Sequence, residues 1–552
     1  MGAAREGLSL DARGRVAALD DLATRPVDVL VIGGGITGCG VARDAALRGL
    51  RTGLLEQVDF GFGTSSRSSK IVHGGVRYLE QFQLGLVRES ARERAVLHRL
   101  APHIVRPIPF HYPVFRGESR WKIRMGLHLF DVLAGSRGAE RSVFLGPRET
   151  RRALPGLRDP LVGSVRYPEY ITDDARLTLE NALSAAAHGA RVANHARVVD
   201  LLEEGGRIVG ATVEDLLTGS AYEIRAQVVV NATGPWSELF LRSCGSPPPH
   251  RLVLSKGIHI LLPAERVPLE GATFLRSRRG RTGLAMRRGP WVYVGTSDEP
   301  FYGDLNRVRS RRSEVLEILE MTRDCFPDAD LTEADVKATW AGLRPLVHQE
   351  GRSTREMSRA DEVWTEPEGL VTVAGGKLTT YRKMAERILH AAGSALNGGL
   401  PPGGATARVP LIGSPSGAEA PQSAREEELD GLRAEGVAEA TLERFTWLYG
   451  LQLSELRKMG REDPRWLEPL AAGVPALRGE VRMAVEQEMA VTLADFMDRR
   501  SSLLLFGPDH GLAGAGEASR IMAQLLGWSE ERREREVDDY RGLAREHGFP
   551  SD

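Results

Sequence analysis

Hydrophobic positions in this chain gather into short unbroken runs that end at small residues. The first, Val29-Leu30-Val31-Ile32, meets Gly33-Gly34-Gly35-Ile36-Thr37-Gly38, passes through a small-residue stretch to Leu50, and returns as Thr52-Gly53-Leu54-Leu55 before Glu56. A short apolar run without alternation marks a strand buried on both faces. Residues 28–56 therefore predict strand, glycine turn, helix and strand, one βαβ unit of about 30 residues. Gln227-Val228-Val229-Val230 likewise runs into Asn231-Ala232-Thr233-Gly234-Pro235-Trp236. The apolar stretch 370–374 runs into Gly375-Gly376-Lys377-Leu378-Thr379-Thr380-Tyr381-Arg382, a turn that opens a helix with a donor-rich N-terminus.

Between these units the period changes. Residues 190–230 alternate in short β-like runs, and 252–297 are strand-rich, which predicts a second sheet. Asp173-Asp174-Ala175-Arg176 starts a helix whose first-turn acids suit the helix dipole. Residues 398–424, rich in Pro, Gly, Ser and Ala, read as a linker. Residues 425–548 read as a helical domain; in 479–499, Val481, Met483, Ala484, Met489, Leu493 and Phe496 form an apolar stripe. The expected fold is α/β: after an N-terminal extension over 1–26, a Rossmann-type dinucleotide-binding domain interleaved with an antiparallel-sheet substrate domain over 27–397, then the linker and the C-terminal helical domain.

The glycines carry the first chemical inference. Gly33 permits the tight turn, Gly35 lets the backbone approach a pyrophosphate, and Gly38 lets the helix lie close on the sheet. Glu56, ending the second strand, suits two ribose hydroxyls and repels a ribose 2′-phosphate, so the expected ligand is FAD or NAD and not NADP. Residues 61–70, Gly-Phe-Gly-Thr-Ser-Ser-Arg-Ser-Ser-Lys, offer the small donors a backbone needs around phosphates or a flat ring; a solvated surface loop is the alternative.

Composition narrows the partners. Across 552 residues the net charge is −1, which gives no footing for nucleic acid, and the three cysteines Cys39, Cys244 and Cys325 lack metal or redox spacing. No stretch has the apolar length of a membrane span. The first 26 residues mix Arg5, Arg13 and Arg15 with Glu6, Asp11, Asp20 and Asp21 and contain no apolar core of a secretory signal. Residues 121–133 predict an amphipathic helix. It is either an ordinary surface helix or one lying on a membrane, with Arg120, Lys122 and Arg124 toward headgroups and Trp121, Met125 and Leu129 in the acyl boundary.

The ordered set Gly-Gly-Gly-Ile-Thr-Gly, Thr-Ser-Ser-Arg-Ser-Ser-Lys and His73-Gly74-Gly75-Val76-Arg77-Tyr78-Leu79-Glu80 closely resembles the FAD-dependent glycerol-3-phosphate dehydrogenases, flavoproteins of the D-amino-acid-oxidase fold. The resemblance extends over nearly all of 27–499 and implies a Rossmann-type FAD-binding domain with FAD as cofactor. It implies FAD contacts at Gly33, Gly35, Gly38, Glu56, Thr64, Ser65, Ser69, Lys70, His73, Gly74, Gly75, Gly234, Gly375, Gly376, Leu378 and Thr379. It implies substrate contacts at Arg77, Tyr78, Arg359 and Lys377, and catalytic roles for His259 and Arg344. His259 is the expected base because an ordinary imidazole titrates near neutrality.

A cluster of cations around a flavin suits a doubly charged phosphate, since guanidinium groups pair with its oxygens. The implied reaction is oxidation of sn-glycerol 3-phosphate to dihydroxyacetone phosphate, with electrons passed to membrane quinone and the protein peripheral on the inner face of the cell membrane. No metal is expected, and the assembly, a homodimer included, is left open. The alternatives are a glycerol-3-phosphate oxidase using oxygen, an amine or amino-acid oxidase on the same fold, and a non-catalytic flavin-binding protein.

Overall fold

The computed structural model describes residues 10–75, 84–135, 141–249, 251–349, 361–414 and 421–550. Five strands lie parallel, side by side in the order Arg191–Ala193, Thr52–Leu55, Val27–Ile32, Ala221–Asn231 and Leu370–Gly375, and Asp361–Trp364 adds antiparallel at the edge. Their unbroken apolar character follows from burial on both faces. Val29 and Val31 pack with Val41, Leu183 and Ile388 under the helices Ile36–Leu47, Asp174–Ala187 and Tyr381–Ala392. Leu30 and Ile32 point the other way, into a core with Leu19, Leu22 and Val213. That second layer comes from helix Arg15–Thr24 and the antiparallel pair Ala196–Glu204 and Arg207–Asp215.

Among the described residues, ten strands form the second sheet. It is antiparallel except where Ala272–Arg276 runs parallel to Val105–Phe115. Leu252–Pro263 pairs with both Trp291–Gly295 and Ala338–Val347, in a register that sets His259 opposite Gly295 and Trp340, and Ser255 opposite Arg344. C-terminal helices close over this sheet: Trp291 Nε1 donates to the Phe506 carbonyl at 2.7 Å, and the Trp340 and Phe506 rings meet edge-on at 6.0 Å.

Two stretches read as peripheral are built into the molecule. Leu10 bridges to Glu488, and buried Arg15 reaches Asp215 at 2.7 Å and the carbonyls of Asn194 and His195. Within the stretch read as a linker, Val409 accepts from buried Arg43 at 2.6 Å and Leu411 N–H donates to Leu100 at 2.9 Å, so residues 401–414 run as a strap across the domain. Helix Arg120–Ala134 buries Leu127 and Phe130 and turns Trp121, Met125, Leu129 and Val132 outward.

Candidate active site

Three strand ends converge on one cleft of about 450 Å³. At the first, Gly33 has φ +107°, and an added Cβ would sit 2.6 Å from the Ala232 carbonyl oxygen. A Cβ on Gly38 would run into the Gly33 carbonyl oxygen, so helix Ile36–Leu47 approaches its turn only because position 38 has no side chain. Gly35 caps that helix in an extended conformation, and Ile36 N–H donates to Ser65 Oγ at 2.9 Å. Glu56 is held ready: its two oxygens accept from Gly34 N–H at 2.7 Å and Val58 N–H at 2.8 Å, while burial pushes its pKa up. Gly234 (φ +58°) turns the second strand end, and Gly375 (φ +78°) and Gly376 (φ +96°) turn the third. A short 3₁₀ turn, Leu378–Thr380, then leads into helix Tyr381–Ala392.

The second sheet supplies the neighbouring chemistry. The absent side chain of Gly257 opens the space taken by the Arg344 guanidinium, and a Cβ there would strike Arg344 and Thr296. Arg344 donates to Thr296 Oγ1 at 2.8 Å and to the Ser297 carbonyl at 3.3 Å, with Asp298 at 3.8 Å. His259 lies flat on Trp340, ring centres 4.9 Å apart, and its Nε2 shares a hydrogen bond with Ser69 Oγ at 2.8 Å. Its Nδ1 is buried without a hydrogen-bond partner among the described residues. Burial, then the positive charges of Arg344 and Lys70, lower its pKa to about 3.

A family model described as FAD dependent oxidoreductase matches residues 28–382, and one described as the C-terminal domain of α-glycerophosphate oxidase matches 404–533. The chain belongs to the FAD-dependent oxidoreductase family. It is 35% identical to the aerobic glycerol-3-phosphate dehydrogenase of Bacillus subtilis over 96% of this chain and 97% of that protein. It is 37% identical to a glycerol-3-phosphate dehydrogenase of Mycobacterium leprae over 95% and 89%. The crystal structure of glycerol-3-phosphate dehydrogenase from Bacillus halodurans complexed with FAD superposes with a TM-score of 0.83 at 32% identity, covering 98% of this chain and 99% of that one.

The residues present fit the family's flavin: a glycine cradle that side chains would fill, an acid at the second strand end, and two further glycine turns. Gly33, Gly35, Glu56, Thr64, Ser65, Gly234, Gly375, Gly376, Lys377 and Leu378 line the cleft together. Gly38 packs against the Gly33 turn, and Ser69, His73, Gly74, Gly75 and Thr379 are not among the residues that line the cleft. Ser69 turns to His259, Gly74 N–H donates to Glu169 at 2.9 Å, Gly75 has φ +90°, and Thr379 Oγ1 donates to the His73 carbonyl at 3.4 Å.

Burial sets the state of two of the expected site residues. The Lys70 ammonium is committed to Asp174 and the Ser66 carbonyl, with its side chain 3% exposed, and it does not line the cleft. His259 is shifted away from neutrality: burial and the positive charges of Arg344 and Lys70 lower its pKa to about 3 and favour the neutral imidazole. Arg77, Tyr78 and Arg359 lie outside the described residues.

Sequence reasoning passed over the charged residues that hold this site from behind. Asp59 is fully buried and accepts from Arg499 and Arg500, each at 2.6 Å, and Arg67 pairs with Asp498 at 2.6 Å. The available signal was the run Asp498-Arg499-Arg500 directly after an apolar stripe, where charge is costly unless paired.

Proposed function

We propose that this member of the FAD-dependent oxidoreductase family oxidises sn-glycerol 3-phosphate to dihydroxyacetone phosphate and hands the electrons to a membrane quinone. FAD, when bound, supplies the redox chemistry by taking the hydride from the carbinol carbon. The observation that carries the reading is the combination of Lys377 and Pro345 in the lining of one cleft with Arg344, the residue before Pro345, fixed beside His259. A lysine in the cleft lining, with Arg344 next to the lining residue Pro345, suits a phosphate dianion better than an amino-acid carboxylate. The similarity to glycerol-3-phosphate dehydrogenases over almost the whole chain supports the same choice.

In this reading Glu56 holds the ribose hydroxyls, and Gly33, Gly35 and Ser65 receive the pyrophosphate at the N-terminus of helix Ile36–Leu47. Arg359 and Lys377 bind the substrate phosphate with Arg77 beside them, and Tyr78 completes the contacts. Arg344 orients the hydroxyl. His259, whose ring Nε2 shares a hydrogen bond with Ser69 Oγ, is the base that takes the hydroxyl proton.

The electron acceptor calls for a membrane surface. No helix among the described residues is long and apolar enough to cross a bilayer. Helix Arg120–Ala134, however, presents Trp121, Met125, Leu129 and Val132, each 45–68% exposed, with Arg124 5.8 Å from the Trp121 ring centre. An apolar stripe beside a cation matches an interfacial helix on anionic lipid.

Anaerobic addition of sn-glycerol 3-phosphate to the yellow protein tests the half-reaction. Rapid bleaching of the flavin is the expected result. Bleaching by glycine or another amine, with none by glycerol 3-phosphate, overturns the proposal. Reoxidation by a quinone analogue without release of peroxide is the expected second step.

A further inference from the structure

The cleft-lining segment that carries Phe62, Gly63, Thr64 and Ser65 is anchored at both ends by one distant element. That element is the π-helical turn Asp495–Arg500 of the C-terminal domain. At the near end, the Asp59 carboxylate accepts from Arg500 Nη1 at 2.6 Å, from Arg500 Nη2 at 2.9 Å and from Arg499 Nε at 2.6 Å. Asn194 adds a fourth bond at 2.9 Å, and the Asp59 carbonyl starts the turn by accepting from Phe62 N–H at 2.9 Å. At the far end, Arg67 grips Asp498 with two bonds of 2.6 and 3.2 Å. Arg499 joins the two ends, since it also donates to Asp498 and Asp495 at 2.9 Å each and lies 5.8 Å from the Phe62 ring centre. His195 completes the charged set facing the turn, 3.1 Å from Asp495.

Every one of these acids is held as a carboxylate: the arginines keep Asp59 and Asp498 well below the usual range despite full burial. Ion pairs this deep are costly to assemble and costlier to break singly, because the surviving partner is left charged and dry. They are arranged as a span. Between the anchors, Ser65 caps Ile36 N–H and Thr64 Oγ1 donates to the Leu343 carbonyl at 2.7 Å, so the position of the span decides the cleft wall and the helix N-terminus together.

We propose that the Asp495–Arg500 turn is a flavin-retention staple, in which Asp498 and Arg500 act through Arg67 and Asp59 as positioning residues for the wall of the FAD cleft. The helical domain is thereby part of the cofactor site although none of its described residues lines the cleft. This rests on FAD occupying the cleft, and its test does not require turnover of any substrate.

The experiment measures, on the full-length holoenzyme, the rate at which FAD leaves the protein during dilution and ultrafiltration. Asp498→Asn and Arg67→Met are each expected to release FAD about tenfold faster, and the double variant no faster than Asp498→Asn alone, because the Arg67 link is already lost when Asp498 is changed. Arg67→Lys, at a partly solvated position, keeps the charge and loses the two-bond geometry; it gives an intermediate rate and covers the case in which a harsher variant fails to fold. Release rates within twofold of the unaltered protein in all variants overturn the proposal, as does a double variant whose rate is the product of the single effects. Failure of glycerol 3-phosphate to bleach the flavin overturns the substrate assignment alone and leaves the release rates to be read independently.

Discussion

His259 illustrates how far a local environment moves a side chain from its expected chemistry. A free imidazole titrates near 6.5, but here the ring is sandwiched against Trp340 with Arg344 and Lys70 nearby, and its pKa falls to about 3. It is therefore held toward the neutral imidazole, a weaker base than a free histidine. In the reductive half-reaction, kcat/KM is expected to show no ionisation of His259 anywhere between about pH 5 and 9. His259→Gln is expected to slow flavin reduction by about a hundredfold at every pH in that range. Stopped-flow reduction across the pH series checks both statements; a step near pH 6.5 that disappears in the variant would contradict the neutral assignment.

At the scale of elements, the glycine turns were legible because their requirements are local. A residue with φ +107° pressed against a carbonyl oxygen, as at Gly33, admits little besides glycine, so the backbone demand is written at the position itself. The ion pairs were not legible. Arg67 and Asp498 are 431 positions apart, and with 73 basic and 74 acidic residues no pattern selects one pairing from the rest. The burial of His259 was hidden for a related reason: it follows from the strand register that sets His259 opposite Trp340. Helix Arg120–Ala134 lies between these cases, since its period revealed two faces and only the fold decided that Leu127 and Phe130 face inward. The outward face makes a test at this scale. Met125→Glu with Val132→Glu is expected to weaken binding to anionic lipid vesicles by at least about a hundredfold, as removing two apolar side chains from the acyl boundary costs about 1.5–3 kcal/mol each. Co-sedimentation reads the effect, with circular dichroism as the check that the fold is retained; unchanged co-sedimentation would remove this helix from the docking surface.

For the molecule as a whole, the buried histidines couple the fold to pH. His111 is 1% exposed, and burial together with Arg166 lowers its pKa to about 4, while that of His259 is about 3. In the unfolded chain both titrate near 6.5. Between the folded and unfolded values the unfolded chain binds more protons, so stability rises with pH and is lost as the solution is acidified below about 6.5. Each such histidine contributes a slope of about 1.4 kcal/mol per pH unit within its window. Other groups act differently. His195, raised by Asp495, contributes stability that is fully present below the unfolded value and is lost only as pH rises through its folded pKa. Burial raises Glu56 and Glu169, and their slope has the opposite sign to that of the lowered histidines. The net curve therefore mixes signs, and a difference between two proteins isolates the histidine share. His111→Gln is expected to lose stability on acidification from about pH 6.5 to 4.5 less steeply than the unaltered protein, by about 1.4 kcal/mol per pH unit. Urea midpoints at matched pH values measure it. Parallel curves for the two proteins would mean that His111 is protonated in the folded state, which its burial beside Arg166 opposes.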